Sequence, residues 1–198
     1  NGAAPPVGTG TCGTFVITQV TAVGVLLGVP SDSCSDWSGN GTGLMTHYAG
    51  SSSATDSTWS SGSCTETGAA LCSLSLPLYC FERSPFTATP TASPSIAPTP
   101  AKAPAFIFVT SKVYTGALSF GNLTGLAAAD AICRGLADSA PYPYTFLLNR
   151  TWKAWLSAGV YSPAQNFAYI SNPIMNVNGN VVALNTSGLL SGNLLAAI

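Results

Sequence analysis

Apolar residues along this chain come in short runs, and most of the runs have the period or the length of a β-strand. Thr14 to Val29 is dense in β-branched residues and broken by Gly24 and Gly28, which predicts buried strands with a bend or bulge. Leu74 to Phe81 predicts a further strand, interrupted at Pro77 and so placed at an edge or bulge. Phe106 to Thr110 predicts a short apolar strand, with extended chain from Lys112 to Leu118. Thr151 to Ser157 alternates as strands do, and Pro173 to Leu184 predicts a hairpin turning at Asn178-Gly179, a strong turn dipeptide. A single segment has the helical period. Leu126, Ala129, Cys133, Leu136 and Ala137 fall on one stripe, with Thr124 placed to cap its start and Pro141 to close its end. That stripe turns Cys133 toward the core, within reach of a strand beneath.

Two stretches lack either period. Pro30 to Ser63 is rich in Ser, Gly, Asn and Asp, and a compact domain seldom tolerates so long an irregular run unless it is stapled. Ser84 to Pro104 holds six prolines and seven Ser or Thr in 21 positions, with Lys102 its only charge. This composition favours a polyproline II linker of about 3.1 Å per residue, hence a contour of roughly 65 Å. Before it, Leu78 to Glu82 reads as the last strand of a domain; after it, Phe106 to Thr110 reads as the first. Residues 1–83 and 105–198 are each short, which suggests two halves of one domain on either side of an 84–104 linker.

Composition narrows the setting. Charged residues are 7% of the chain and the net charge is −1, against a usual charged share of roughly 25%. No basic field exists for nucleic acid or an acidic membrane. The most apolar run, Val20 to Val29, has about half the length that a bilayer span needs, so no membrane span is expected. No signal peptide is visible, so a secreted protein would be written here in its mature form. Four sequons begin at Asn40, Asn122, Asn149 and Asn185. With the linker hydroxyls Thr87, Thr89, Thr91, Ser93, Ser95 and Thr99, which have the setting of an O-glycosylated stalk, they point to covalent glycans. Plain polar loops are the alternative. Cys12, Cys34, Cys64, Cys72, Cys80 and Cys133 are an even number, without a CxxC pair and with one histidine in the chain. A disulfide framework outside the cytosol is the reading, with its connectivity left open by spacing alone.

Catalytic readings find little to stand on. His47 lies in a Gly/Ser-rich loop, no GxSxG elbow occurs, and the cysteines are better used in disulfides than as nucleophiles. Asp32 and Asp36 read as turn residues, Asp130 and Asp138 as solvated positions on the helix. Trp37, Trp59, Trp152 and Trp155 read as core or rim packing rather than a sugar platform. Neither an enzyme nor a bound cofactor or metal is expected.

The motifs of the second half, Phe-Val-Thr-Ser-Lys-Val-Tyr-Thr-Gly-Ala-Leu, Gly-Leu-Ala-Ala-Ala-Asp-Ala-Ile-Cys, Trp-Lys-Ala-Trp-Leu-Ser and Asn-Gly-Asn-Val-Val-Ala, resemble the opening half of a family of secreted bacterial domains of unknown function. That family has an α+β, C-type-lectin-like and endostatin-like fold, with short antiparallel strands, long loops and one main helix. Cys-Ser-Asp-Trp, Ser-Ala-Thr-Asp-Ser-Thr-Trp and Leu-Tyr-Cys-Phe-Glu in the first half resemble its closing half. The resemblance covers about half of the chain and departs from the family in order, with the closing half first. It implies that Cys80 pairs with Cys133 and Cys34 with Cys72, which leaves Cys12 with Cys64. The calcium loop of lectins with this fold, Glu-Pro-Asn or Gln-Pro-Asp followed by Trp-Asn-Asp, is absent; Asn172-Pro173 is the nearest approach and lacks acidic partners.

Halves in this order must each find a complement. Found in the same chain, it makes a permuted monomer, such as a cell-surface adhesin or carbohydrate-binding module. Found in the next chain, it makes a head-to-tail homopolymer that does not close on itself. The second outcome, a structural subunit of an extracellular glycosylated filament, is the expectation; two independently folded small domains are the third possibility.

Overall fold

A computed structural model describes residues 15–18, 34–39, 46–47, 49–61, 70–72, 75–83, 103–159, 161–167 and 170–198. Cys12, Cys64, Asp32, Asn40, the Val20 to Val29 run and the linker hydroxyls Thr87, Thr89, Thr91, Ser93, Ser95 and Thr99 lie outside them. Before the linker come β1 (Phe15–Ile17), α1 (Cys34–Trp37), β2 (Thr46–His47), β3 (Ala49–Ser51), α2 (Thr58–Ser61), β4 (Ala70–Leu71) and β5 (Tyr79–Glu82). After it come β6 (Ala105–Val109), β7 (Ser119–Phe120), β8 (Leu123–Thr124) and α3 (Gly125–Asp138), then a 3-10 turn at Tyr144–Leu147. The chain continues through β9 (Trp152–Ala154), α4 (Pro163–Asn166), β10 (Ile174–Asn176), β11 (Val181–Ala183) and α5 (Thr186–Leu190). The fold is α+β, with one main helix and the disulfides Cys34–Cys72 and Cys80–Cys133.

The main sheet has the order β11-β10-β6-β5-β9. Only β10 and β6 run parallel; the other neighbours are antiparallel. β5 is therefore an interior strand, flanked on both sides by strands from beyond the linker, and all four of its residues are buried. This corrects the edge position expected from Pro77. The ladder begins at Tyr79, past the proline, so the missing N–H falls outside it, while Leu76 makes its own bridge with Tyr114. The stretch from Lys112 to Leu118 is turn-rich, with that bridge its only paired position among the described residues.

Alternation along the strands sorts the core onto two faces of the sheet. Cys80 of β5 and Trp152 and Ala154 of β9 face α3, together with Trp37, Leu78 and Leu118. Tyr79 and Phe81 face the other way, onto Trp59, Trp155, Phe167 and Ile174. α3 lies against β9 with a narrower stripe than its leucines suggest. Ala128, Ala129, Ile132, Cys133 and Ala137 are buried, whereas Leu126 and Leu136 are half-buried. Small residues at the contact let the helix backbone approach the sheet closely, and the larger side chains wrap its flanks. Thr124 is the N-cap by backbone conformation, without a capping bond from its side chain. The hairpin turns at Gly179, whose φ of +86° a side chain would resist. β9 ends sooner than the alternation to Ser157 suggests, because the Leu156 N–H turns back to the Ala154 carbonyl at 3.0 Å.

α1 is wound left-handed, with φ between +53° and +63° at Cys34, Ser35, Asp36 and Trp37. Four L-residues in this region cost about 1 to 2 kcal/mol each. The turn is held by the Cys34–Cys72 bond, by the Trp37 indole N–H donating to the Ser157 carbonyl at 2.6 Å, and by the Leu118 N–H donating to the Trp37 carbonyl at 2.9 Å.

Candidate functional site: the seam between the halves

Buried hydrogen bonds, an ion pair and the Cys80–Cys133 disulfide meet at the seam where residues before the linker join residues after it. The backbone supplies its frame. β5 pairs with β6 in the register Tyr79↔Val109, Cys80↔Phe108 and Phe81↔Ile107, and with β9 in the register Cys80↔Ala154, Phe81↔Lys153 and Glu82↔Trp152. Leu76 and Tyr114 exchange N–H to carbonyl bonds of 2.9 and 2.8 Å, and the Gly116 N–H donates to the Cys72 carbonyl at 2.8 Å. At the far end the Leu194 N–H donates to the Thr55 carbonyl at 2.6 Å and the Ile198 N–H to the Ser52 carbonyl at 3.1 Å.

Side chains add direction to this frame. The Trp155 indole N–H donates to the Ser60 hydroxyl at 3.1 Å, the Leu78 N–H to the Thr110 hydroxyl at 3.0 Å, and the Gly159 N–H to the Asp36 carboxylate at 2.6 Å. Glu82 closes the strand end. Buried to 6% exposure, its carboxylate accepts from Arg150 Nη1 at 2.7 Å and from the Phe106 N–H at 3.0 Å. Cys80, two residues earlier on the same face, is bonded to Cys133 of α3. Gly116 and Gly125 permit the closest approaches. A Cβ on Gly116 would stand 2.5 Å from Cys34 Sγ, and one on Gly125 would stand 2.7 Å from the Asp36 carbonyl oxygen.

At the edge of the seam lies a cleft of about 280 Å³, lined by Arg83 from before the linker and by Leu126, Asp130, Lys153, Tyr161 and Phe167 from after it. Its carboxylate is already occupied. Asp130 accepts from Lys153 Nζ at 2.5 Å and from the Ala154 N–H at 2.9 Å, which corrects the expectation that it is solvated. An acidic side chain facing a strand end finds both a cation and an N–H there, and the bonds outweigh the loss of water.

Other residues singled out from sequence are dispersed. The four tryptophans are at 0 to 1% exposure, as core packing requires. His47 is in β2, paired with Ala70, far in sequence from every seam group after the linker. Asn122 stands at the exposed turn between β7 and β8, Asn149 is exposed with φ +59°, and Asn185 caps α5 by accepting from the Gly188 N–H at 2.8 Å. Asn172 donates to the Ala103 carbonyl at 2.8 Å, and among the described residues no three His, Cys, Asp or Glu side chains converge on a metal-sized site. The Glu82–Arg150 pair was not singled out by the sequence. Its one signal is a carboxylate ending an apolar run in a chain of only seven acidic and six basic residues.

Comparison with protein-family models, with curated proteins and with solved structures found no match.

Proposed function

We propose that this chain is the structural subunit of an extracellular, glycosylated filament, in which a C-type-lectin-like and endostatin-like domain is split and each subunit lends its first half to the next. The observation that carries the reading is the place of β5. It is an interior strand, between β6 and β9, of a sheet whose other strands all follow the linker. Each half is thus incomplete alone, and the sheet accepts β5 equally well from its own chain or from a copy. Linker length permits the copy. Phe81 faces Ile107 across the ladder, so the chain leaves β5 and enters β6 at neighbouring positions, about 5 Å apart. A two-residue turn could join such strands, yet 21 residues, 84 to 104, are provided. Their roughly 65 Å reach is enough to place β5 in a neighbouring sheet. The disulfides fit a compartment outside the cytosol, and the sequons with the Thr/Ser-rich linker fit a glycan coat that replaces charge as the source of solubility.

The test is mass analysis under denaturing, non-reducing conditions, repeated with reductant. A ladder of multimers that collapses to one subunit on reduction is expected, because Cys80 of one chain then bonds Cys133 of the next. A single subunit band in both lanes, with no fibres by microscopy, sinks the reading. It would favour the permuted monomer acting as an adhesin or carbohydrate-binding module, which draws on the fact that every seam contact can also be made within one chain.

A further inference from the structure

We infer that Arg150 is a preformed socket that selects the Glu82 carboxylate of a second copy of this chain, and so sets the register in which β5 enters the sheet. The inference rests on the exchange of β5 between copies proposed above. Arg150 is held by groups that all follow the linker. Its Nε donates to the Phe146 carbonyl at 2.6 Å, and its guanidinium lies over the Phe106 ring, 4.9 Å from the centroid. The Phe106 N–H points the same way and completes the socket from β6. Nothing before the linker is needed to shape it. Only the carboxylate comes from the incoming strand, and it takes both donors at once, two bonds of 2.7 Å from the guanidinium and one of 3.0 Å from the amide.

Apolar contacts alone do not define this register. Leu78 to Phe81 is a continuous apolar run, and both faces of the sheet are apolar, so a slip of one residue would exchange one apolar side chain for another. The carboxylate removes the tolerance. A slip of one residue would turn Glu82 onto the face occupied by Phe81, Trp155 and Phe167, where the packing is aromatic, and an unpaired buried charge is costly. A slip of two residues keeps the face but shifts the strand by about 6.6 Å. Glu82 then leaves Arg150, and Cys80 leaves Cys133, whose Cα lies 5.5 Å away in the native register and could not be bridged across the added distance. The ion pair thus brings to the right place the cysteine that makes the joint permanent. The remaining ion pair among the described residues, Lys153 with Asp130, lies wholly after the linker and cannot discriminate an incoming strand.

Charge reversal in two chains tests selection and exchange together. Glu82→Arg and Arg150→Glu chains, each refolded alone with reduced and oxidised glutathione, present like charges at every joint. The expected result is loss of the disulfide-linked ladder to below a tenth of the native yield for each. Mixed in equal amounts before refolding, they give an alternating polymer. The arginine introduced by Glu82→Arg then meets the glutamate introduced by Arg150→Glu, and at the next joint the unaltered Glu82 of the second chain meets the unaltered Arg150 of the first. Recovery of at least half of the native ladder is expected, with the two chains alternating when one carries a mass label. A third chain bearing both reversals restores the pair whether the strand is shared or not, and guards against simple misfolding. If the native protein and the double variant both refold as single subunits without a ladder, the pair works within one chain, and both this inference and the filament reading are overturned. If neither recovers while the native protein still forms its ladder, the socket is overturned and the filament reading stands.

Discussion

Tyr79 carries a hydroxyl into the aromatic side of the sheet, where it donates to the Trp59 carbonyl at 2.8 Å. Burial disfavours the phenolate and raises its pKa well above the ordinary 10.0. The sign follows from where the proton sits. Below about pH 10 both native and unfolded tyrosine keep it; above that the unfolded chain releases it while the native chain does not, so stability is full below about pH 10 and falls as pH rises further. Tyr79→Phe is expected to be about 1 to 2 kcal/mol less stable at pH 7, because the Trp59 carbonyl loses its donor, and to decline less steeply above pH 10. Urea unfolding from pH 7 to 11 reads both effects. Tyr114, half-buried and also shifted upward, leaves a residual slope. A decline in Tyr79→Phe as steep as that of the native protein would remove Tyr79 as its source. Individual pairings such as Glu82 with Arg150 or Asp130 with Lys153 were not legible in the chain. Their partners are 68 and 23 positions apart, and nothing local distinguishes a carboxylate that will be buried from one that will face water.

Elements fared better where their signals are local. The helical stripe with Thr124 and Pro141 located α3 to within one residue at each end, and Asn178-Gly179 located the β10–β11 turn. The rank of β5 within the sheet was hidden, since an apolar run says that a strand is buried and does not say between which neighbours. Close approach of elements was hidden too, and glycines record it. Gly125 and Gly121 both have positive φ, +62° and +58°, but only Gly125 has an obstacle, the Asp36 carbonyl at 2.7 Å, while Gly121 has nothing within 4 Å. Gly121→Ala is expected to cost about 1 kcal/mol for its backbone conformation, and Gly125→Ala about 2 to 4 kcal/mol because α1 must move away from α3. Denaturation midpoints of the two variants compare directly. Equal losses would mean that the α1–α3 contact yields freely.

At the scale of the whole molecule, neither fragment 1–83 nor fragment 105–198 should hold a fixed tertiary structure alone, because one lacks the main sheet and the other lacks the strand between β6 and β9. Near-ultraviolet circular dichroism checks this. Each fragment is expected to give a weak signal and an equimolar mixture, oxidised together, to recover most of that of the intact chain. A strong signal from either fragment alone would favour independent domains. In the sequence only the linker and the order of motifs point to this division, since periodicity predicts strands and leaves their partners open.

The interior position of β5 has a consequence for any array in which it is passed forward. Such an array has direction, and its two tips differ. One tip ends in a strand with nowhere to go, with Tyr79 and Phe81 exposed to water. The other ends in a vacant slot between β6 and β9, with the Arg150 guanidinium unanswered. In such an array a peptide as short as Leu78 to Arg83 would carry the apolar run and the carboxylate that fill the slot, and would end the chain.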